Sequence, residues 1–283
     1  MENGRASLAG PAGQVVQVPI DIRVKKYQVS LGCGLIGIGR PWGYAPTEVP
    51  TEAEALRFLE HAFKLGIRYF DTAPSYALSE ARLGSFLRRL TPEQREEVVV
   101  ATKFGERWDE SARDVRVDHS LDVLTRSLDQ SLKLLGAIDV LQIHKTTPEV
   151  LRSDAIPKAC AYAAGAGIQE FGASIKDMES ARIVCCNRLY SVIQLPYNAD
   201  NAEFAPAIDM AAEHEKLVLV NRPLNMGRLA ASAGPDQFQG LVAAFKFVLA
   251  RRYDGVVLTG TKSVQHLDEN WRAFKEAVLQ SRV

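Results

Sequence analysis

The sequence predicts an α/β protein folded as one closed (β/α)8 barrel, on three observations. Short β-branched or apolar runs alternate with longer amphipathic stretches. Eight such runs follow one another, and no change in composition marks a linker between two halves. The 283 residues suit one barrel, which usually takes about 250, with a tail to spare. Strand–helix alternation of this kind implies a parallel sheet.

The runs are CGLIGIG, IRYFDT, VVVATK, DVLQIH, IQEFGAS, SVIQLPY, LVLVNRP and VVLTG. Ahead of them IDIRVKKYQVS alternates, predicting a short N-terminal hairpin that covers the N-terminal end of the barrel. Residues 1–18 are rich in Gly and Ala and read as a loose tail, which leaves 19–283 as a single barrel domain. Thr51 opens a T-x-x-E capping box with Glu54 and marks the first helix start. After Ser120, the residues Leu121, Leu124, Leu128, Leu132 and Leu135 recur in three- and four-residue steps, giving one apolar helix face.

Gly32, Gly34 and Gly37 spell GxGxxG, the dinucleotide fingerprint. That motif requires the glycine turn to open straight into a helix. Here Pro41, Pro46 and Pro50 intervene before the helix signal at Thr51. The expectation is therefore that no helix starts at the glycines and that they belong to the first barrel strand.

Composition narrows the function. Hydrophobic residues make up 47% and charged residues 24%, ordinary values for a globular chain. Lys plus Arg and Asp plus Glu both number 34, so nothing favours nucleic acid or an anionic membrane as a partner. No apolar run approaches the roughly 20 residues of a membrane span. The N-terminus lacks a basic start followed by an apolar stretch, so a cytoplasmic protein is expected. Cys33, Cys160, Cys185 and Cys186 form neither a CxxC pair nor a zinc spacing, so no metal is expected and the thiols should be buried and free.

Three consecutive expected strands end in an ionisable residue: Asp71 in RYFDT, Lys103 in VATK and His144 in LQIH. Tyr76 follows just past Asp71. Burying such groups costs several kcal/mol unless they pair with one another. In a barrel, the C-terminal ends of the strands carry the chemistry. A phenol ordinarily titrates near 10, too high for easy proton exchange at neutral pH. A lysine ammonium beside it favours the phenolate, and an aspartate keeps the lysine charged. A neutral histidine can donate a hydrogen bond to a carbonyl oxygen. The set can move a proton but holds no hydride source, so a cofactor is expected to supply one.

The segment FDTAPSYALSEARLG is similar to the aldo-keto reductase signature, with Asp71, Tyr76, Ser79, Glu80, Leu83 and Gly84 matching. VATKFG resembles the family's lysine motif, and RSLDQSLKLLGAIDVLQIH resembles the helix-then-strand signature that ends in its histidine. The resemblance implies a TIM barrel and a catalytic tetrad of Asp71, Tyr76, Lys103 and His144, with Tyr76 as proton donor. It implies NADPH as cofactor, with NADH possible, and a small carbonyl or alcohol as substrate.

The same resemblance assigns the cofactor cradle. Ser174 and Gln194 would meet the nicotinamide carboxamide. Asn221, Arg222, Pro223 and Leu224 form the loop expected over the pyrophosphate. Gly260, Thr261, Lys262 and Ser263 precede the last helix, where barrels commonly bind phosphate. His266, Glu269 and Asn270 belong to the adenine segment. Three positions depart from the family pattern: Asn221 replaces a stacking tyrosine, Ile175 an asparagine, and an arginine near the adenine is missing. With no long C-terminal loop, the substrate site should be open and walled by Trp42 and Trp108. Two rival readings stay in play. One is a cofactor-binding sensor with little turnover; the other is a Schiff-base aldolase, which needs Lys103 free of a carboxylate.

Overall fold

The protein is seen in a computed structural model that describes residues 8–9, 15–16, 23–24, 27–43, 48–231 and 236–281. Eight parallel strands form a closed TIM barrel: β1 (Tyr27–Gly34), β2 (Tyr69–Asp71), β3 (Val99–Phe104), β4 (Val140–Ile143), β5 (Glu170–Ser174), β6 (Val192–Pro196), β7 (Leu217–Asn221) and β8 (Gly255–Thr259). The ring closes where β8 pairs with β1 through Val257↔Leu31 and Thr259↔Cys33, so neither edge is left open.

A helix follows each strand: α1 (Glu52–Lys64), α2 (Ser79–Leu87), α3 (Leu121–Leu135), α4 (Ala155–Gly165), α5 (Met178–Cys186), α6 (Ala205–Glu213), α7 (Gln237–Leu249) and α8 (Val264–Gln280). The Thr51 capping box is present: the Thr51 N–H donates to Glu54 Oε2 at 2.8 Å, and the Glu54 N–H donates to Thr51 Oγ1 at 3.3 Å. On α3, Leu124, Leu128 and Leu135 are buried and Leu132 packs behind them, while Leu121 is 38% exposed.

Two details of the first unit differ from expectation. β1 begins at Tyr27 and ends at Gly34, several residues before the run CGLIGIG finishes. Ile36–Gly39 then forms a single helical turn, so a helix does start at the glycines. It ends at once in the extended Arg40, and the long helix begins only at Glu52, so the Rossmann geometry is still not made. The turn is held by close approach. A Cβ on Gly39 would collide with the Tyr76 carbonyl oxygen and the Ser79 amide, which only glycine avoids.

The expected hairpin is seen at its pairing residues, Arg23↔Gln28 and Val24↔Tyr27, at the N-terminal end of β1. Of the expected tail at 1–18, only the antiparallel pair Leu8–Ala9 with Val15–Val16 falls within the described residues. Cys33, Cys160 and Cys185 are buried free thiols, but Cys186 is exposed, at the end of α5. Among the described residues, no helix is long and apolar enough to cross a membrane.

The fold positions the site by the period of two along a strand. The barrel interior is filled by Tyr69, Val99, Ala101, Val140, Val192, Leu217, Leu219, Val256 and Leu258. Two residues further on, each of five columns turns polar at the C-terminal rim. Tyr69 is succeeded by Asp71, Ala101 by Lys103, Val140 by Gln142, Val192 by Gln194 and Leu219 by Asn221.

Candidate active site

Lys103 lies at the floor with no exposed surface, and Asp71 is only 3% exposed. The Lys103 ammonium donates to Asp71 Oδ1 at 2.5 Å and to the Thr72 carbonyl at 2.9 Å. Asp71 Oδ2 accepts from Gln142 Nε2 at 2.9 Å and Gln194 Nε2 at 3.1 Å. A carboxylate so surrounded is charge-paired and hydrogen-bonded on both oxygens, which is what its burial requires. Burial by itself would discharge Lys103. Asp71, then Tyr76, more than offset it and hold the ammonium above its ordinary pKa.

Tyr76 ends a short turn, Pro74–Tyr76, that leads into α2. Its ring centre is 5.0 Å from Lys103 Nζ. Burial pushes the phenol above its usual pKa; the Lys103 charge and hydrogen bond pull it back without fully reversing the shift. Lys103 acts in the direction expected from the sequence, but burial is the larger effect. Beneath the loop, Thr72 and Ser79 share a 2.8 Å hydrogen bond, and Thr102 Oγ1 donates to Glu80 Oε1 at 2.6 Å. These contacts tie α2 to the end of β2 and to β3.

His144 stands just past β4, its ring edge-on to Tyr76 with centres 6.1 Å apart. Its Nδ1 lies 2.8 Å from Glu106 Oε2, a contact the sequence reading missed. Glu106 begins a hairpin, Glu106–Asp109 paired with Asp114–Val117, inserted between β3 and α3. Burial would raise the Glu106 carboxyl, but His144, Lys145 and Ser75 hold it down at about 2. An ionised carboxylate only accepts, so His144 Nδ1 carries the proton. Burial lowers the His144 pKa against the pull of Glu106. The neutral ring therefore offers Nε2 as an acceptor. The expectation that neutral His144 donates to a carbonyl is corrected: only the imidazolium has a second N–H to give.

A cavity of about 1420 Å³ runs from Tyr76 and His144 across the barrel mouth to α8. Of the residues assigned to the cofactor, Ser174, Gln194, Asn221, Arg222, Pro223 and Leu224 line its middle. Gly260, Thr261, Lys262, Ser263, His266, Glu269 and Asn270 line the far end. Two features fit a bound nicotinamide dinucleotide. Gly34, Gly37 and Gly260 leave the wall bare, with nothing nearer than 3.7 Å to a Cβ built on any of them. Asn221 Oδ1 is buried with no hydrogen-bond partner among the described residues. At the far end, Ser263 caps α8, its Oγ accepting from the His266 N–H at 3.3 Å. Lys262 donates to the Glu48 carbonyl, so part of its capacity is already engaged.

The two tryptophans differ. Trp42 lines the cavity and is 40% exposed. Trp108 lies outside the lining, on the hairpin, with the Arg40 guanidinium 5.0 Å from its ring centre. The same guanidinium is 5.4 Å from the Trp42 ring. Arg272 of α8, which the motif did not mark, lines the far end of the cavity, 5.7 Å from the Phe238 ring. Gln142 could have been found from period two, since it shares a strand face with His144. Glu106 left no comparable signal, because its partner comes from the next strand.

A sequence model of the aldo/keto reductase family matches residues 30–240. The chain belongs to the aldo/keto reductase family. It is thus an oxidoreductase of that family, and the barrel agrees. It is 25% identical over 294 residues to the aldo-keto reductase yakc of Schizosaccharomyces pombe, whose name carries NADP(+), covering 87% of this chain and 84% of that one. Over 154 residues it is 35% identical to versiconal hemiacetal acetate reductase of Aspergillus parasiticus, covering 47% and 43%. A crystal structure of a putative aldo-keto reductase from Pseudomonas aeruginosa superposes with a TM-score of 0.75 at 27% identity, covering 95% of this chain and 94% of that one. The holo form of an aldo-keto reductase from Bacillus halodurans matches in fold at a TM-score of 0.73 and 19% identity, covering 98% and 95%.

Proposed function

We propose that this aldo/keto reductase interconverts an aldehyde or ketone and its alcohol in the cytoplasm, using NADPH in preference to NADH, with Tyr76 as general acid and base. One observation carries the reading: a phenol beside a buried, aspartate-held lysine sits in the same cavity as a glycine-lined cradle that ends at a helix N-terminus.

A bound nicotinamide would supply the hydride that reduces the carbonyl carbon, itself becoming oxidised. The protein does the rest. Tyr76 gives its hydroxyl proton to the carbonyl oxygen as that oxygen gains charge, and Lys103 stabilises the phenolate left behind. Asp71 holds Lys103 in place and charged. In the reverse direction the phenolate accepts the alcohol proton, and His144 in its protonated form would donate from Nε2 to the substrate oxygen. Ser174 and Asn221 would bind the carboxamide, and Lys262, Ser263 and Asn270 the adenosine phosphate end. Trp42 would wall the substrate side.

The aldolase rival is disfavoured by the Lys103–Asp71 contact of 2.5 Å, because a Schiff-base lysine must be able to lose its proton. The test is a panel of aldehydes, ketones, sugars and alcohols with both cofactors, read by nicotinamide absorbance. Turnover that depends on NADPH is expected. Tight NADPH binding with no turnover across the panel would favour a sensor.

A further inference from the structure

Besides Arg272 at the far end, four cations on the cavity wall take no part in these steps. Arg40 follows β1, Lys145 adjoins His144 after β4, Lys176 lies two residues past Ser174 after β5, and Arg222 follows β7. Their placement separates two of them from the cofactor phosphates. Thr261–Ser263 follow β8, and β4 stands directly across the closed ring from β8 with β5 next to it. Lys145 and Lys176 therefore flank the reacting end, beside His144 and Ser174.

Apart from exposed Glu203, the carboxylates around them are committed elsewhere. Asp71 is bound to Lys103. Glu106 is shared between His144 at 2.8 Å and Lys145 at 3.4 Å. Asp177, next to Lys176, caps α5 by accepting from the Ser180 N–H and hydroxyl at 2.7 and 2.8 Å. Glu269 accepts from Gln265 at 3.1 Å, at the far end. Among the described residues, Lys176, Arg222 and Arg40 have no carboxylate within ion-pair distance, and Arg40 Nε is buried without a hydrogen-bond partner. Burial, then the adjacent Lys145 ammonium, lowers the Lys176 pKa; Glu106 partly opposes this and Arg222 adds to it. Lys145 and Arg222 also hold left-handed backbone, with φ of +50° and +55°. Such strain in non-glycine residues gathers where a site needs a side chain aimed.

We infer that the substrate carries an anionic group, a carboxylate or a phosphate, a few atoms from its carbonyl, and that Lys145 and Lys176 bind it with Arg222 and Arg40 alongside. Like charges held together around one shared acid, Glu106, are relieved by an anion placed between them. The inference rests on the reductase reading and narrows its substrate class.

Matched probe pairs test it: 4-carboxybenzaldehyde against benzaldehyde, and glyceraldehyde 3-phosphate against glyceraldehyde, each with NADPH. A charge-assisted contact should favour the anionic member of at least one pair by about 10- to 100-fold in kcat/KM. The pair that shows the preference tells carboxylate from phosphate. Raising salt should shrink the preference, because the mouth is open to solvent. Lys176→Gln should reduce the ratio about tenfold, and the double variant with Lys145→Gln further. Ratios near one in both pairs, unmoved by salt, would overturn the inference while leaving the reductase standing. If no probe turns over, the reductase reading fails, and binding decides the rest. Calorimetric titration of 4-(hydroxymethyl)benzoate against benzyl alcohol should then still show tighter binding of the acid, lost in Lys176→Gln. Equal binding of the two would overturn the anion site as well.

Discussion

The two ends of the cavity are built in opposite ways. At the floor, Lys103 and Asp71 are out of water and their donors and acceptors are matched within the protein. At the rim over α8, Lys262 leans on a backbone carbonyl, Glu269 bonds its own helix neighbour and His266 is exposed. Folding has already met the desolvation penalty at the floor, so its members act as one coupled unit. The rim is more exposed. Substitutions at the floor should change rate, and should do so non-additively. Substitutions at the rim should change cofactor affinity, one contact at a time.

The largest effect should come from Tyr76→Phe. The ring remains and only the transferable proton goes, so kcat should fall by about 10²–10⁴ with NADPH affinity nearly intact. A variant keeping more than about a third of its kcat would remove Tyr76 from the proton step.

Lys103→Met should be nearly as damaging, with a signature of its own. Lys103 lowers the phenol's pKa against burial, so its loss lets that pKa rise further. The oxidation direction needs the phenolate, and its pH–rate profile should move to higher pH in whatever activity survives. An unmoved profile at near-normal rate would dissolve the coupled floor.

At the rim, Lys262→Ala should weaken NADPH binding by about 10- to 100-fold, the worth of one charge-assisted phosphate contact. Because Glu48 already takes one of its hydrogen bonds, the lower part of that range is expected. NADH binding should stay within about threefold, as it lacks the 2′-phosphate. Fluorescence titration with both cofactors measures this, and equal losses for the two would show that Lys262 does not read the 2′-phosphate.

The smallest effect belongs to the thiols. Cys185→Ala should lower stability modestly, since it trims a buried side chain, and exposed Cys186→Ala less. Neither should alter turnover; lost activity in a well-folded, cofactor-binding variant would revive a redox role.

The same contrast explains what the sequence made legible. Asp71, Lys103 and His144 stood out because each interrupts an apolar strand at its C-terminal end, where few structural reasons compete. Glu106 and Arg272 did not stand out. One lies on an inserted hairpin and the other on an amphipathic helix, where charged residues are ordinary. The first strand is displaced because its alternating Tyr27, Val29, Leu31 and Cys33 overlap the expected hairpin, while Ile36 and Ile38 of the following turn extend the apolar run. Trp108 was expected in the pocket from its distance past β3, but the hairpin turns it onto Arg40 instead.

That hairpin joins two properties usually discussed apart. It supplies Glu106, which decides which nitrogen of His144 is protonated, and Val115, which lines the cavity. It carries Trp108, which packs on Arg40 against Trp42. Its base is fastened to the same histidine, whose carbonyl is 2.8 Å from His119 Nε2. A change in the length or twist of this one insertion would reshape the wall that meets the substrate and reset the protonation of the histidine beside it. Substrate choice and pH response would then drift together as relatives diverge, because one loop contributes to both.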